Sequence, residues 1–226
     1  NIFVKILASY YTTLNTFILK EKEQKLYEFL SNYITDERKN RFEEVLRYRT
    51  RHIAIVLEDI YQSHNASAVL RSCDLTGVQD VHIIENKWVY DINPDIVVGS
   101  VKWLDLHKYN VNEFNTPEAF DLLHSKGYKI VATCPHQNDY TPDTLPLDQP
   151  IAVVFGTEKT GLTDYALEHA DMYVQIPMHG FTESFNISVS AALLMYTLTQ
   201  RLHKSDIDWH LSEEEKQEIR LDWTRK

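Results

Sequence analysis

Three segments of the chain place polar or glycine residues directly after short apolar runs, and their residue types suit phosphates, sugars or nucleotides. The first extends from Glu58 to Asp74 and contains Asn65 and Arg71. An arginine carries a permanent charge and a planar set of donors that fits a phosphate or a ribose. The alternative is that Arg71 forms an ion pair with Glu58, Asp59 or Asp74.

The second segment is the glycine-bounded turn FGTEKTGL at residues 155–162. A P-loop would place Lys and Ser or Thr after its last glycine, but Leu162 and Thr163 follow Gly161. The chain also contains no Gly-x-Gly-x-x-Gly, the usual dinucleotide fingerprint. Two of only six glycines, Gly156 and Gly161, lie here, which indicates special backbone angles or the close approach of a ligand. An ordinary strand–helix turn is the alternative.

The third segment, QIPMHGFTESFNISVS at residues 175–190, leads into a strongly apolar helix that Ser184 is predicted to cap. Asn186 and Ser188 fall in its first turn, where polar side chains are unfavourable unless they bind something. Helix packing alone is the alternative, because small residues continue along the face that contains Ser184 and Ser188.

Alternating short strands and helices must position these segments. We predict strands at 52–57, 81–84, near 97–98, and at 104–109, 129–133, 151–155 and 172–176. We predict helices at 20–49 with a break and a cap at Thr35 or Asp36, at 66–76 capped by Asn65, at 117–126, 163–170 and 185–204, and from about 212. This alternation predicts an α/β fold with a parallel sheet covered on both faces. Ligands of such sheets bind beyond the carboxyl ends of the strands.

Composition favours a globular protein with a local basic region. The 226 residues are 43% hydrophobic and 25% charged, and the formal net charge of −10 argues against nucleic acid as a partner. Between residues 38 and 51, however, six basic minus two acidic residues give a local charge of +4, which can hold RNA or simply face water.

Other classes of site and segment are not expected. Two cysteines cannot form a disulfide framework, and the ten histidines form no His-Glu-x-x-His cluster, so we predict no catalytic metal. Residues 1–19 are too polar for a membrane span and lack the features of a signal peptide. We expect a cytoplasmic protein with no membrane partner.

Taken together, the three segments resemble the motifs of the SpoU/TrmH family of SPOUT RNA 2′-O-methyltransferases, over roughly residues 53–201. Asn65-x5-Arg71 before Gly77 resembles the first motif, and FGTEKTGL resembles the second. IPMHG with ESFNISVS resembles the third. The short basic N-terminal segment and the acidic C-terminal helix are most similar to TrmH-type members, which methylate a D-loop guanosine of tRNA.

The resemblance implies a parallel-sheet SPOUT domain at residues 51–204 with a C-terminal trefoil knot. Helical extensions would flank it at residues 1–50, which carry the basic RNA-binding stretch, and at residues 205–226. It also implies tRNA as a partner and a homodimer formed through the knot and the C-terminal helices.

The resemblance further implies S-adenosylmethionine as methyl donor and an in-line displacement by a ribose 2′-oxygen, which needs no metal. The implied catalytic residues are Arg71, Asn65, Glu158, Ser184 and Asn186. The implied cofactor-binding residues are Thr133, Phe155, Gly156, Glu158, Gly161, Ile176, Met178, Phe185, Asn186 and Ser188. The implied RNA-binding residues are Arg41, Arg47, Arg49, Arg51, Arg71 and Arg201. The family assigns Arg71 a base role, but a guanidinium pKa above about 12 favours stabilisation of the developing oxyanion or a grip on the adjacent phosphate.

Three alternatives remain open from the sequence. The first is a ribosomal-RNA 2′-O-methyltransferase of the same family. The second is a non-catalytic RNA-binding SPOUT protein, against which the intact Asn65, Arg71, Glu158 and Asn186 argue. The third is a small-molecule nucleotide enzyme, which the missing Walker and dinucleotide loops disfavour.

Overall fold

The computed structural model describes residues 21–90, 99–134 and 139–226. The chain divides into two compact units. Among the described residues, one comprises 21–47 together with Leu211–Lys226, and the other lies within Tyr48–His210. Of the extensions predicted at residues 1–50 and 205–226, residues 48–50 and 205–210 fall in the larger unit, which also contains the three motif segments.

The larger unit is built on a six-stranded sheet in which every strand pair is parallel, as predicted. The strands are β1 (Ile53–Glu58), β2 (Asp80–Ile84), β3 (Asp105–Tyr109), β4 (Lys129–Thr133), β5 (Ile151–Phe155) and β6 (Met172–Val174). Their order across the sheet is β3-β2-β1-β5-β4-β6. The central strands β1 and β5 are buried at every position, because their apolar, β-branched residues suit a sheet covered on both faces.

The predicted strand bounds are confirmed for β4 and β5 and differ by one or two residues elsewhere. The prediction of a longer β6 is wrong, because pairing with β4 ends at Val174. The strand predicted near residues 97–98 lies outside the described residues.

Helices cover both faces of this sheet. The described helices are α1 (21–31), α2 (Asp36–Leu46), α3 (Ser63–Thr76), α4 (Thr116–Ser125), α5 (Asp164–Glu168), α6 (Ile187–His203) and α7 (Glu213–Thr224), with a 3₁₀ turn at Ser100–Trp103. On one face α3 packs against α6, where the Cys73 and Met195 sulfurs lie 3.6 Å apart in the core. On the other face Phe120 and Leu123 of α4 and Ala166 of α5 complete a second core.

Two helix starts differ from the prediction, and both differences concern motif residues. Helix α3 begins at Ser63 rather than after Asn65, so Asn65 lies inside the first turn and does not cap it. The N-cap of α6 is Asn186 and not Ser184, since the Asn186 side chain accepts from the Ser188 amide at 2.9 Å. At the other end of α3, Gly77 has a φ of 84°, as expected for a residue that ends a helix.

The smaller unit consists of α1, α2 and α7. Thr35 caps α2, which confirms one of the two predicted caps. Phe42 of α2 meets Trp223 of α7 edge to face at 5.4 Å, and Arg220 donates to both carboxylate oxygens of Glu43. No helix among the described residues combines the length and the hydrophobicity that crossing a bilayer requires.

Candidate active site at the carboxyl ends of the strands

The three motif segments meet at one edge of the sheet. Asn65 follows β1 on the first turn of α3, Glu158 lies in the turn that follows β5, and Asn186 ends the loop that follows β6. Parallel strands bring their carboxyl ends to a single edge, which explains why residues 93 and 121 positions from Asn65 can contact it.

A network of side-chain hydrogen bonds joins these residues. Asn65 Nδ2 and Asn186 Nδ2 both donate to Glu158 Oε1, each at 2.7 Å. Asn186 Nδ2 also donates to Asn65 Oδ1 at 3.2 Å, and Asn65 Nδ2 donates to Gln62 Oε1 at 2.8 Å. All three motifs therefore share one carboxylate, and among the described residues its second oxygen accepts no hydrogen bond.

The cap of α6 fixes which way the Asn186 amide points. Its Oδ1 accepts from both the backbone amide and the hydroxyl of Ser188, at 2.9 and 2.5 Å. With that oxygen turned toward the helix, the Nδ2 group must face Asn65 and Glu158. The capping geometry and the site geometry thus depend on the same side chain.

The glycine turn is closed by its own backbone. Thr157 and Gly161 exchange two backbone hydrogen bonds, at 2.9 and 3.0 Å, and Gly161 has a φ of 71°. A Cβ added at Gly156 would lie 2.3 Å from the Gly161 carbonyl and 2.4 Å from the Leu162 nitrogen. Such distances exclude any side chain at Gly156, so the close approach predicted for this turn is a backbone-to-backbone contact.

A cavity of about 530 Å³, called here the motif cavity, opens beside this turn. Its wall includes every residue that the sequence analysis assigned to cofactor binding except Ser188, together with Ser184. Those assigned residues are Thr133, Phe155, Gly156, Glu158, Gly161, Ile176, Met178, Phe185 and Asn186. Ser188 acts on the cavity through its hydrogen bonds to Asn186.

A second cavity of about 720 Å³, called here the aromatic cavity, lies on the other side of the same turn. Its walls come from the ends of β1 and β2 and from the turn after β5, and they include Asp59, Tyr61, Asn65, Lys87 and Trp88. The two cavities share residues 157–162 and Ile187 as a common wall. Glu158 belongs to both, with Asn65 bound on one side and Asn186 on the other.

Glu58 has a structural role that the sequence analysis missed. It is buried at the end of β1, where it accepts from the Thr116 hydroxyl at 2.6 Å and from the Thr163 amide and hydroxyl at 2.9 and 2.8 Å. Glu58 thereby ties β1 to the starts of α4 and α5. Its position directly after an apolar strand was the available signal, but its partners lie far away in sequence.

Arg71 is exposed on α3 and lines neither cavity. Its proposed ion-pair partners bind other groups, and among the described residues Arg71 forms no salt bridge. Asp74 instead pairs with Arg49. The ion-pair alternative for Arg71 is therefore wrong in this structure, and the catalytic role of Arg71 stays a prediction.

The residues predicted to bind RNA fall into two groups. Arg41 and Arg47 are exposed, and Arg41 forms a surface pair with Glu44 at 3.1 Å. Arg71 is exposed as well, whereas Arg49, Arg51 and Arg201 are engaged within the fold, and their contact with RNA stays a prediction. Arg49 is 1% exposed against Asp74, Arg51 donates to Asp80 and Asp105, and Arg201 donates to the carbonyls of Pro142 and Leu145. Burial lowers the pKa of Arg49 and of Arg201, because a charge removed from water is less well solvated.

Ionisable groups also cluster at the amino ends of β2 and β3, away from the motif residues. Asp80 accepts from Arg51 at 3.0 Å and from His107 at 3.0 Å. Although burial alone would raise the pKa of Asp80, the His107 hydrogen bond and the Arg51 charge hold it below its usual value. This carboxylate therefore stays ionised in the fold.

His82 lies within the same cluster and is buried. Its Nδ1 is 2.7 Å from the Tyr109 hydroxyl, and its ring stacks on that of His107 with centroids 4.5 Å apart. Burial, assisted by the neighbouring His107, lowers the pKa of His82 to about 3. Burial raises the pKa of Tyr109 to about 12. The pair is therefore neutral at physiological pH.

No group of three or more His, Cys, Asp or Glu residues with a geometry for metal binding occurs among residues 21–90, 99–134 and 139–226. The prediction that catalysis needs no metal stays a prediction.

Comparison with known proteins identifies relatives along most of the chain. The model of the SpoU rRNA Methylase family matches residues 52–196. A tRNA (guanosine(18)-2′-O)-methyltransferase of Borreliella burgdorferi is 48% identical over 197 residues, which cover 87% of this chain and 88% of the relative.

Two solved structures are similar in fold. A TrmH/SpoU tRNA modifying enzyme of A. aeolicus has a TM-score of 0.74 and 29% identity, with 84% of this chain and 96% of that chain covered. The SpoU methyltransferase AviRb from Streptomyces viridochromogenes, in complex with the cofactor AdoMet, has a TM-score of 0.61 and 20% identity. That alignment covers 72% of this chain and 62% of AviRb.

Proposed function

The chain belongs to the SpoU rRNA methylase family, and on that premise we propose that it is an S-adenosylmethionine-dependent tRNA 2′-O-methyltransferase that modifies guanosine 18. The observation that carries this proposal is the Glu158 carboxylate. It holds Asn65 and Asn186 together from the first and third motifs and stands on the wall between two adjacent cavities. One cavity can hold a methyl donor while the other receives part of the acceptor.

The residues of the motif cavity fit S-adenosylmethionine. The cavity volume of about 530 Å³ lies within the range of small-molecule sites, roughly 300–1,000 Å³. Apolar side chains of Ile176, Met178 and Phe185 line it and can pack against a planar base, and Gly156 lets the turn that forms one wall close on its own backbone. When bound, S-adenosylmethionine supplies an electrophilic methyl group on a sulfonium sulfur.

The chain's own residues must align the acceptor and manage its charge. Glu158 holds both asparagines and can accept a hydrogen bond from the acceptor through its second oxygen. Asn65 lines the aromatic cavity and orients the acceptor there, and Ser184 and Asn186 line the motif cavity and orient the donor. Arg71 is exposed on α3 outside both cavities, and we assign it to the phosphate next to the ribose or to the developing oxyanion once tRNA is bound, because a guanidinium keeps its proton and is a poor base.

A trefoil knot and a homodimer belong to this proposal. Family membership supports the knot. A row of exposed apolar residues on α6 supports the dimer: Val189, Leu193 and Tyr196 are 44%, 43% and 63% exposed. Light scattering should report a dimer, which Leu193→Glu weakens and Leu122→Glu, at a similarly exposed site on α4, does not.

Arg41 and Arg47 belong to the basic stretch and are exposed, so they are available to tRNA phosphates. We expect them to contribute a salt-dependent part of tRNA affinity. A cytoplasmic location and the absence of a membrane partner stay predictions.

The experiment that tests the function maps ribose methylation at nucleotide resolution. The purified chain is incubated with labelled S-adenosylmethionine and tRNA transcripts, in parallel with ribosomal RNA. Methylation at guanosine 18, lost when that nucleotide carries a 2′-deoxyribose, is the expected result. Methylation of ribosomal RNA alone would favour a ribosomal-RNA 2′-O-methyltransferase. Binding of RNA with no methyl transfer and no binding of S-adenosylmethionine would favour a non-catalytic RNA-binding protein.

A further inference from the structure

The aromatic cavity holds two large side chains at its wall that the methyl-transfer chemistry itself does not use. Tyr61 and Trp88 are 66% and 47% exposed, and their ring centroids are 4.7 Å apart in an edge-to-face arrangement. Exposed aromatic rings are unfavourable in water, and nucleic-acid-binding proteins use such rings as platforms on which unpaired bases stack.

The two rings are held in position by a buried carboxylate. Asp59, which directly follows β1, is 5% exposed and has a φ of 55°, a region that residues other than glycine rarely adopt. Its Oδ1 accepts from the backbone amides of Asn86, Lys87 and Trp88, at 2.7, 2.9 and 3.4 Å. The loop after β2 is thereby fastened to the end of β1, so Trp88 is set beside Tyr61 before any ligand arrives.

The same loop is fastened from its other side. Asn86 Oδ1 accepts from the Asn115 amide at 2.7 Å, and Asn86 Nδ2 donates to the Thr116 hydroxyl at 3.0 Å. Two separate segments, the end of β1 and the start of α4, thus fix the stretch Asn86–Trp88. A loop constrained in this way pre-organises a binding surface, which reduces the entropy lost on binding.

The charged groups around the rings suit a guanine base. Guanine presents N–H donors on one edge, which carboxylates accept, and the acceptors O6 and N7 on another, which a lysine can reach. The cavity wall carries Lys87 and, besides the buried Asp59 that holds the loop, the carboxylates of Glu158 and Asp164. Both kinds of partner for guanine therefore lie around the aromatic pair.

From these observations we propose that the aromatic cavity receives the base of the target guanosine, turned out of its stack in the tRNA and packed against Tyr61 and Trp88. This inference rests on the proposed function. The 2′-oxygen must reach the wall between the two cavities to meet the methyl donor in the motif cavity. Because the base is bonded directly to the ribose, it then lies close by, and the aromatic cavity on the other side of that wall can receive it. Enzymes that modify single nucleotides commonly extrude them in this manner.

The test uses Tyr61→Ala and Trp88→Ala, with Phe114→Ala as the matched control. Phe114 is also exposed, at 41%, and also meets another ring edge to face, but it lines neither cavity. We expect kcat/KM on tRNA to fall roughly ten- to a hundredfold in each cavity variant, as for the removal of a base-stacking ring. Binding of S-adenosylmethionine by calorimetry should stay unchanged, as should all parameters of the control.

A second measurement does not depend on methyl transfer. Saturation-transfer NMR with guanosine 5′-monophosphate should detect its base on the wild-type chain and on the Phe114 variant, and the signal should vanish in the cavity variants. Equal signals from wild type and both cavity variants would overturn the inference, even if tRNA is methylated. A guanosine signal that depends on Tyr61 and Trp88 but comes without tRNA methylation would refute the proposed function instead, and would leave the assignment of the cavity supported.

Discussion

The side-chain amide of Asn186 donates to the side-chain oxygen of Asn65 at 3.2 Å, across 121 residues of sequence. This contact joins the start of α6 to the first turn of α3, and Glu158 accepts from both amides. Each asparagine uses its oxygen and its nitrogen for different partners, so an isosteric carboxylate or a hydroxyl at either position would lose part of the network. The first and third motifs are thus held together by two side chains that are specifically amides.

Asn186→Ser should separate the capping of α6 from the organisation of the site. Serine caps a helix about as well as asparagine, but it cannot donate to both Asn65 and Glu158. A hydrogen bond to a charged group contributes about 1.5–3 kcal/mol, so kcat/KM should fall roughly ten- to a hundredfold, and the melting temperature should fall only by the share of these hydrogen bonds because the cap is kept. Asn186→Ala, which also loses the cap, should melt lower. Full activity of the serine variant would contradict this account of the network.

Gly156→Ala should disrupt the second motif. The added Cβ would overlap the backbone of Gly161 and Leu162, so the turn must open and the wall of the motif cavity must move. We expect loss of S-adenosylmethionine binding by calorimetry and a stability loss of about 1–3 kcal/mol in urea denaturation.

Gly127→Ala is the control for this substitution. Gly127 has a φ of 86° but no atom within 4 Å of an added Cβ, so its cost is backbone strain of about 1–2 kcal/mol without a clash. It should therefore leave donor binding intact. Normal donor binding by Gly156→Ala would show that the turn tolerates a side chain.

Much of the fold could be predicted from the sequence because its signals are local. The apolar, β-branched runs of β4 and β5 predict buried strands with correct bounds, and Gly77 marks the end of α3. The two motif helix starts could not be predicted in this way. Both Asn65 and Ser184 are good capping residues, but neither caps its helix in the structure. Asn65 donates to Glu158 from within α3, and Asn186 caps α6 in place of Ser184.

The candidate site shows the same limit. Nearly all residues that the family resemblance assigned to cofactor binding line the motif cavity, but the sequence could not show that Arg49 is buried, since its partner Asp74 lies 25 residues away. Nor could it show that Tyr61 and Trp88 meet, because only the pairing of β1 with β2 brings their loops together.

Arg49 and the exposed pair Arg41 and Arg47 should respond to substitution in opposite ways. Arg49→Ala leaves the Asp74 carboxylate without its buried partner, so we expect a stability loss of about 3–5 kcal/mol by urea denaturation. The double variant Arg41→Ala and Arg47→Ala should keep its stability and bind tRNA more weakly. The slope of the logarithm of its tRNA binding constant against the logarithm of the salt concentration should become shallower by about one for each phosphate that the variant no longer neutralises. A salt dependence equal to wild type would remove both residues from the tRNA interface.

The stability of the chain should fall in mild acid because of His82. The folded chain holds the His82 pKa at about 3, against 6.5 for the free side chain, so the unfolded state takes up a proton first as the pH falls. This contribution to stability is complete above about pH 6.5 and is lost progressively toward pH 3. Between pH 7.5 and 5.5 it amounts to about 1.4 kcal/mol.

Urea denaturation at these two pH values tests the assignment to His82. His82→Asn keeps a hydrogen-bonding group near the Nδ1 position for the Tyr109 hydroxyl but does not titrate, so between the two pH values it should lose about 1.4 kcal/mol less stability than wild type. His179→Gln removes an exposed histidine and should follow the wild-type slope. If wild type and His82→Asn lose the same stability between the two pH values, the acid sensitivity arises from groups other than His82.

Arg71→Ala should separate transfer from both folding and donor binding. The side chain is exposed on α3 and lines neither cavity, so urea denaturation and calorimetric binding of S-adenosylmethionine should match wild type. Methyl transfer should fall about 10²–10³-fold, as expected when one pre-organised donor to a developing oxyanion is removed. Lys126→Ala, which also removes one exposed positive charge, controls for a general loss of attraction to tRNA.

The pH dependence of the remaining activity distinguishes the two parts that Arg71 can play. If Arg71 stabilises charge, Arg71→Lys should restore part of the rate, because it keeps the charge without the planar donor fork, and the shape of the pH profile should not change. If Arg71 removes the proton, the alanine variant should regain activity as rising pH deprotonates the ribose hydroxyl in its place. Transfer at the wild-type rate by Arg71→Ala at every pH would exclude Arg71 from the reaction altogether.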